Sequence, residues 1–204
     1  LIISITAIGE VDLDKIAYRN GAKPSNLLVV TGDIGAAYMG LQVLEREKQV
    51  FQVNPNNQPD LEQYSYLIER QLKPEARKDV IQLLEELNII PTSMIDISDG
   101  LSTEINHLSN SSNISIHIHE EKIPISDDTK NVCNEFKINP TVAALNGGED
   151  YELVFSLPKK WAKNLSKLDK NINEIGFFAD GEPSIEFKDK NKNKLFNKKP
   201  FKHF

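Results

Sequence analysis

The run Asp96-Ile97-Ser98-Asp99-Gly100 carries the most informative chemistry in this chain of 204 residues. Two carboxylates flank a hydroxyl, and the glycine allows the backbone to turn after an apolar stretch. A junction between a strand and a helix gathers carboxylates and free backbone N–H groups in one crevice. Because Mg²⁺ binds carboxylate oxygens together with phosphate oxygens, this spacing suits a metal–nucleotide site. The alternative is that Ser98 or Asp99 only caps a helix that begins at Leu101.

A second run of interest is Asn146-Gly147-Gly148-Glu149-Asp150-Tyr151-Glu152-Leu153. Its two glycines allow another backbone to approach closely, and its three acids lead into an apolar strand. Crowding so many carboxylates is costly unless a cation or an array of hydrogen-bond donors compensates them. A glycine turn with solvated acids is the competing interpretation.

Three further features are weaker by themselves. Thr31-Gly32-Asp33-Ile34-Gly35 follows a strand and opens a helix, so its backbone could face an anion, or could simply connect the two elements. Arg19 precedes a glycine turn and could hold a phosphate, although a plain surface arginine is the alternative. Phe201 and Phe204 could cover a planar ligand, or belong to a frayed end.

Together these runs resemble the thiamine-monophosphate kinases, a family of the aminoimidazole-ribonucleotide-synthetase superfamily. The matching pieces are Arg19–Pro24, Val30–Gly32 with Gly35, Ile95–Leu101 and Gly147–Leu153. Their order and spacing fit, and the resemblance extends from Leu1 to Phe204. It implies a C-terminal domain of the superfamily over residues 12–204, an α/β (α+β) fold with a mixed β-sheet flanked by helices. Residues 1–11 would then be the last strand of an N-terminal ATP-binding domain that lies upstream.

The resemblance also implies a reaction, the Mg²⁺-dependent transfer of the γ-phosphoryl group of ATP to thiamine monophosphate. Such a transfer needs metal ions and positioning more than a covalent nucleophile. The implied roles are Arg19 and Ser98 for ATP, Asp96 and Asp99 for Mg²⁺, and Glu149 and Phe201 for the thiamine moiety. The full-length protein is expected to be a homodimer, and this chain alone is expected to have little turnover.

Two alternatives to a thiamine-phosphate kinase stay open from the sequence. Another member of the superfamily, such as selenophosphate synthetase or the hydrogenase-maturation member, would share the fold and the nucleotide. A non-catalytic nucleotide-binding or interaction module would share the fold without turnover, and the lysine-rich C-terminal stretch is the feature in its favour.

The elements that must position these residues follow from the periodicity of apolar residues. Interleaved strands and helices predict a layered domain. Expected strands are Asn26–Thr31, Ser93–Ile97, Ile114–His119, Tyr151–Leu157, Glu174–Ala179 and a hairpin over Ser184–Phe196, and a further one is expected at Leu1–Val11. Expected helices are Ala36–Phe51, Leu61–Leu72, Ala76–Leu87, Leu101–Ser109, Lys130–Phe136 and Lys159–Leu168.

Composition sets the class of protein. The chain is 39% hydrophobic and 26% charged, with a net charge of -6, which argues against general binding of nucleic acid or membrane surfaces. No apolar run approaches the ~18 residues of a membrane span. The single cysteine, Cys133, cannot form an internal disulfide and fits a reducing compartment. We therefore expect a soluble cytoplasmic protein.

Overall fold

The structure is a computed structural model that describes residues 2–56, 58–162 and 171–188 and the backbone of residues 194–195. Its strands are β1 (Leu27–Thr31), β2 (Ser93–Asp96), β3 (Ser115–His119), β4 (Leu153–Leu157), β5 (Ile172–Ala179), β6 (Ser184–Lys188) and β7 (Lys194–Leu195). Its α-helices are α1 (Ala36–Val53), α2 (Ser65–Leu72), α3 (Lys78–Glu86), α4 (Leu101–Ser112), α5 (Asp127–Glu135) and α6 (Pro140–Asn146).

The strands form a single mixed sheet in the order β2-β4-β1-β5-β3-β6-β7. Strands β3 and β6 run parallel, whereas the other neighbouring strands are antiparallel. Helices pack against this sheet, so the structure confirms the predicted class of a mixed sheet flanked by helices. The order places β2 directly beside β4, and these two strands lead into and out of the two acidic runs.

Strand β1 shows why the sheet has apolar side chains on both faces. Leu28 and Val30 pack on one face with α4, while Leu27 and Val29 pack on the other face with α3. A strand that is covered on both faces has apolar residues throughout, with no alternation. The unbroken apolar run that predicted this strand therefore also indicates that the strand lies in the interior of the sheet.

A third apolar cluster joins helices α1, α2, α5 and α6. Met39 and Val43 of α1 contact Leu67 of α2 in this cluster, and Cys133 of α5 is fully buried in it. The cluster holds α1 against α2, so that the backbone N–H groups at the start of α1 and the side chain of Arg70 on α2 are positioned for the contacts described below.

Most predicted elements are present with shifted ends, and α6 is the helix that the sequence interpretation missed. Most of the helix predicted at Lys159–Leu168 lies outside the described residues, which include a 3-10 turn at Lys159–Trp161. The side chain of Asn139 caps α6 by accepting hydrogen bonds from the backbone N–H groups of Thr141 and Val142, and Pro140 occupies its first turn. Both are ordinary signals for the start of a helix. Here an Asn-Pro pair opens a helix of seven residues that contacts α4 and α5.

The N-terminal residues of this chain have a different structure from the one that the sequence predicts. Residues 2–11 have no regular secondary structure, and Ile2, Ile5 and Ile8 are almost fully exposed, so the strand predicted at Leu1–Val11 is not formed. An isolated strand without a pairing partner leaves its backbone unpaired, which disfavours it. The assignment of residues 1–11 to another domain stays a prediction.

Among the described residues, no helix is both long enough and apolar enough to cross a lipid bilayer.

Candidate functional site

The two acidic runs are adjacent in the structure and are joined by backbone hydrogen bonds. The N–H of Ile97 donates to the carbonyl of Glu152 at 2.8 Å, and the N–H of Tyr151 donates back to the carbonyl of Ile97 at 2.9 Å. One step further, the N–H of Glu149 donates to the carbonyl of Ser98 at 2.8 Å. These bonds continue the pairing of β2 with β4 beyond the ends of both strands. The antiparallel ladder thus places both loops on one edge of the sheet.

Gly148 permits this close approach. Its φ of 71° lies in the left-handed region, and a Cβ atom built there would lie 2.6 Å from the carbonyl oxygen of Ser98. Glu149 and Tyr151 also have positive φ values, of 62° and 50°. Such values are uncommon for residues other than glycine and cost free energy that the surrounding contacts must supply.

Three carboxylates share the exposed side of this edge, namely those of Asp96, Asp99 and Glu149. The hydroxyl of the partly buried Tyr151 donates to Oε2 of Glu149 at 3.2 Å. Burial raises the pKa of Tyr151, and Glu149, Asp96 and Asp99 raise it further. These three exposed carboxylates, which all act on one phenol, make up the acidic face.

The donor set of this acidic face can be compared with what Mg²⁺ requires. Among the described residues there is no group of three or more His, Cys, Asp or Glu side chains that could enclose a metal ion. Mg²⁺ usually keeps several waters and takes only one or two carboxylates together with substrate phosphates. Asp96 and Asp99 are exposed carboxylates of the kind that such a site uses.

Helix α4 begins without help from Ser98 or Asp99. Its N-cap is Gly100, which makes no side-chain capping bond. Instead, the buried carboxylate of Glu104 accepts a hydrogen bond from the N–H of Asp99 at 3.1 Å and one from the hydroxyl of Ser98 at 3.3 Å. Burial raises the pKa of Glu104. The simple helix-capping interpretation of Ser98 and Asp99 is wrong, because the carboxylate of Asp99 stays exposed and Glu104 orders the loop.

Asp150 turns inward and caps α1. One carboxylate oxygen accepts a hydrogen bond from the N–H of Gly35 at 2.8 Å, and the other accepts one from the N–H of Ala37 at 3.3 Å. Only 1% of Asp150 is exposed. The sequence suggested that the backbone at Gly32–Gly35 could face an anion, and here the carboxyl group of Asp150, from the same chain, occupies that position.

Glu152 also turns inward and meets two arginines. Its carboxylate accepts a hydrogen bond from the hydroxyl of Thr31 at 2.5 Å, lies 3.0 Å from Nη1 of Arg70, and is hydrogen-bonded by Nη1 of Arg77. Arg70 donates in addition to the backbone carbonyls of Asp33 and Asp150, at 3.1 and 3.3 Å. Two of the three crowded acids are therefore structural, since their charges meet donors inside the protein.

Sequence reasoning missed Arg70 and Arg77, which lie on α2 and just before α3, far along the chain from the carboxylates they bind. The signal that could have found them is the acidic run itself. Three acids beside an apolar strand require compensating donors if any of them is buried. Nothing local identifies which arginines supply those donors.

The stability of the protein is predicted to depend on pH, because the carboxyl group of Asp150 titrates at a different pH in the folded and the unfolded state. Burial raises its pKa to about 7, although the N–H groups of Gly35 and Ala37 and the charge of Arg70 favour the ionised form. An unfolded aspartate has a pKa of about 3.9, so between these two values the folded state holds a proton that the unfolded state releases. Stability should therefore fall as the pH rises from about 4 to 7.

The measurement is urea unfolding of the wild type and of Asp150→Asn at about pH 5 and pH 8. The wild type should lose more stability between the two pH values than the variant, because asparagine does not titrate. An identical loss in both proteins would show that Asp150 does not titrate in this window.

Arg19 and Phe201 are not placed at the acidic face by the described residues. Arg19 is exposed, and its carbonyl accepts a hydrogen bond from the hydroxyl of Ser112 at 3.3 Å. Ser112 ends α4, whereas Asp99 precedes its first residue, so the length of α4, about 18 Å, lies between those two ends. Phe201 lies outside the described residues. The proposed roles of Arg19 and Phe201 stay predictions.

The sequence and the fold of this chain are similar to those of known proteins. The family model for "AIR synthase related protein, C-terminal domain" matches residues 23–186. Curated relatives named thiamine-monophosphate kinase include those of Aquifex aeolicus, 34% identical over 88% of this chain, and of Bacillus subtilis, 31% identical over 100% of it. The chain covers 53% and 60% of those two proteins, so it spans little more than half of their length.

Solved structures show the same similarity. The structure of AaThiL complexed with AMPPCP and TMP aligns with a TM-score of 0.73 and 32% identity, over 92% of this chain and 54% of that one. Thiamine-monophosphate kinase from Stenotrophomonas maltophilia aligns with a TM-score of 0.71 and 25% identity, over 87% of this chain and 54% of that one. The hydrogenase maturation protein HypE shares the fold, with a TM-score of 0.63 at 15% identity over 92% of this chain and 54% of that one.

Proposed function

Because this chain belongs to the family of AIR synthase related proteins, whose C-terminal domain model it matches, we propose that it is the C-terminal portion of a thiamine-monophosphate kinase. The relatives that carry this name support the assignment across most of the chain. The reaction is the Mg²⁺-dependent transfer of the γ-phosphoryl group of ATP to thiamine monophosphate, which yields thiamine diphosphate. The remaining part of the site comes from the half of the relatives that this chain does not match, so the chain alone has little turnover.

The observation that supports the proposal is the backbone ladder between Ile97–Ser98 and Glu149–Glu152, because it joins the two acidic runs that contain the exposed Asp96, Asp99 and Glu149. Bringing two phosphates together requires cations, since two like charges ~4 Å apart repel by roughly 4 kcal/mol at an effective dielectric of 20. Asp96 and Asp99 would hold Mg²⁺ at this face. Bound there, Mg²⁺ would neutralise phosphate charge and orient the transferred group.

The other residues have supporting rather than covalent roles. The hydroxyl of Ser98 donates a hydrogen bond to the carboxylate of Glu104, which orients Ser98, and Ser98 would contact the phosphates of ATP. Glu149 offers an exposed carboxylate to the positively charged thiamine moiety, and an aromatic side chain at Phe201 would cover its ring. Arg19 would contact ATP. ATP is thus a co-substrate, and no side chain acts as a nucleophile.

The proposal also covers the cellular location, the oligomeric state and the partners of the protein. We place it in the cytoplasm, where a lone buried cysteine such as Cys133 stays reduced. The full-length protein is proposed to be a homodimer, and neither nucleic acid nor membrane is proposed as a partner.

The proposal is tested by ADP release from the full-length protein with thiamine monophosphate and Mg·ATP. Asp96→Asn and Asp99→Asn should each lower kcat/KM on the order of 100-fold, because losing several kcal/mol of charge stabilisation costs tenfold per 1.36 kcal/mol. Both variants should also need more Mg²⁺ for half-maximal rate. Asp180→Asn is the matched control, since Asp180 is an exposed aspartate in the turn after β5, and it should match the wild type.

Two outcomes would contradict the proposal. A wild-type protein that releases no ADP in response to thiamine monophosphate would remove the assigned substrate. An unchanged affinity for Mg·ATP in both aspartate variants would remove the metal site and favour the non-catalytic binding module.

A further inference from the structure

The loop Glu149–Glu152 divides its side chains between two environments. Asp150 and Glu152 are 1% and 3% exposed and bind donors inside the protein, whereas Glu149 is exposed and Tyr151 is partly buried. The hydrogen bond from the hydroxyl of Tyr151 to the carboxylate of Glu149, at 3.2 Å, places these two side chains on the same side of the loop. The buried pair thus anchors the loop, and the other pair faces the outside.

The anchors leave the loop little freedom. Asp150 is tied to the start of α1 through Gly35 and Ala37, and Glu152 is tied to α2 through Arg70. The backbone N–H groups of Glu149 and Tyr151 are also paired with the neighbouring loop. Such a network holds both residues at positive φ and keeps their Cα atoms in place.

The side chain of Glu149 has one further restraint, the hydroxyl of Tyr151. This hydroxyl donates to Oε2 of Glu149 at 3.2 Å, and among the described residues Oε1 accepts no hydrogen bond. A tyrosine hydroxyl is protonated at neutral pH, and burial and the surrounding carboxylates raise the pKa of Tyr151 further. Tyr151 therefore remains a donor, and it occupies one oxygen while the other is open to a ligand.

We propose that Tyr151 is a positioning residue for recognition of the organic cation, holding the Glu149 carboxylate so that Oε1 meets a proton donor of that cation. The inference rests on the proposed function, in which Glu149 binds the thiamine moiety. A free glutamate side chain loses rotamer entropy when it binds, and a pre-ordered one loses less. Tyr151 thus acts on substrate affinity through Glu149, and takes no part in phosphoryl transfer.

The experiment is steady-state kinetics of the full-length protein with Tyr151→Phe, which keeps the ring and removes only the hydroxyl. The KM for thiamine monophosphate should rise roughly 3- to 10-fold, as expected for one lost hydrogen bond. The KM for ATP and kcat should stay within about twofold, since among the described residues the Tyr151 hydroxyl hydrogen-bonds to Glu149 and not to Asp96, Ser98 or Asp99.

A matched control is Tyr64→Phe. The hydroxyl of Tyr64 also donates to a carboxylate, that of Glu135 at 2.9 and 3.1 Å, but this pair lies among α1, α2 and α5. Removing it should leave both KM values unchanged. An equal rise in KM in the control would overturn the inference, because it would trace the effect to general loosening of the fold.

A double-mutant cycle separates action through Glu149 from a direct contact. In the Glu149→Ala background, Tyr151→Phe should cause no further change in the KM for thiamine monophosphate. A full additional increase in that background, or a Tyr151→Phe single variant that matches the wild type, would overturn the positioning role while leaving the kinase assignment intact. A wild-type protein without thiamine-monophosphate-dependent ADP release would overturn both.

Discussion

Glu152→Gln is expected to lower the free energy of unfolding by about 3–5 kcal/mol, the usual cost of removing one partner of a buried ion pair. Glu152 is 3% exposed and compensates Arg70 and Arg77, which are themselves only 19% and 13% exposed. Without the negative charge, Arg77 keeps its pairing with the exposed Asp79 and Arg70 keeps Asp150 at 3.9 Å, but both largely buried guanidinium groups lose their shared buried partner. Urea unfolding of this chain near neutral pH measures the loss.

The control is the same substitution at Glu135, which also pairs with an arginine, Arg46, and with the hydroxyl of Tyr64. Glu135 is 45% exposed, so solvent screens its charge and replaces its contacts. Glu135→Gln should cost about 1 kcal/mol or less. Equal losses in the two variants would mean that burial does not determine how much the Glu152 contacts contribute to the free energy of unfolding.

Gly148→Ala is expected to impair both stability and activity. A residue with a side chain pays about 1–2 kcal/mol for left-handed φ, and the new Cβ would lie 2.6 Å from a backbone oxygen of Ser98 that cannot turn away. The two loops must separate to relieve this contact. Because misplacing reacting groups by about 1 Å costs on the order of 100-fold in rate, the ADP-release rate of the full-length protein should fall by about that factor.

Gly9→Ala is the matched control for this prediction. No atom lies within 4 Å of a Cβ built at Gly9, and its φ lies outside the left-handed region. In this chain, that variant should unfold within about 0.5 kcal/mol of the wild type. If Gly148→Ala were equally silent, the close contact between the two loops would not exist in solution.

Several parts of this molecule follow from local sequence. The apolar run Leu27–Val30 identifies a strand covered on both faces, and the apolar spacing in α1 identifies a helix, because side-chain periodicity is a local property. The glycines of both acidic runs indicate turns, since positive φ and close backbone approach favour residues without a Cβ atom. Helix α6 had local signals too, an asparagine cap followed by proline, and the sequence interpretation passed over them.

Other parts depend on residues far apart in the chain. Glu149 and Asp150 are adjacent acids of the same charge, yet one is exposed and the other is 1% exposed beneath α1. Their difference comes from the start of α1, more than a hundred residues earlier, and from the position of Arg70 on α2. Sequence spacing cannot supply such partners, because the pairing depends on the order of strands in the sheet.

By itself, the sequence determined where most strands, helices and sharp turns occur and that two acidic bends are present, since these depend on neighbours within a few residues. The tertiary structure decided which carboxylates face outward and which are held by arginines and a helix start. The physical reason is that burying a charge is tolerable only where distant donors converge on it, and the fold alone brings them there.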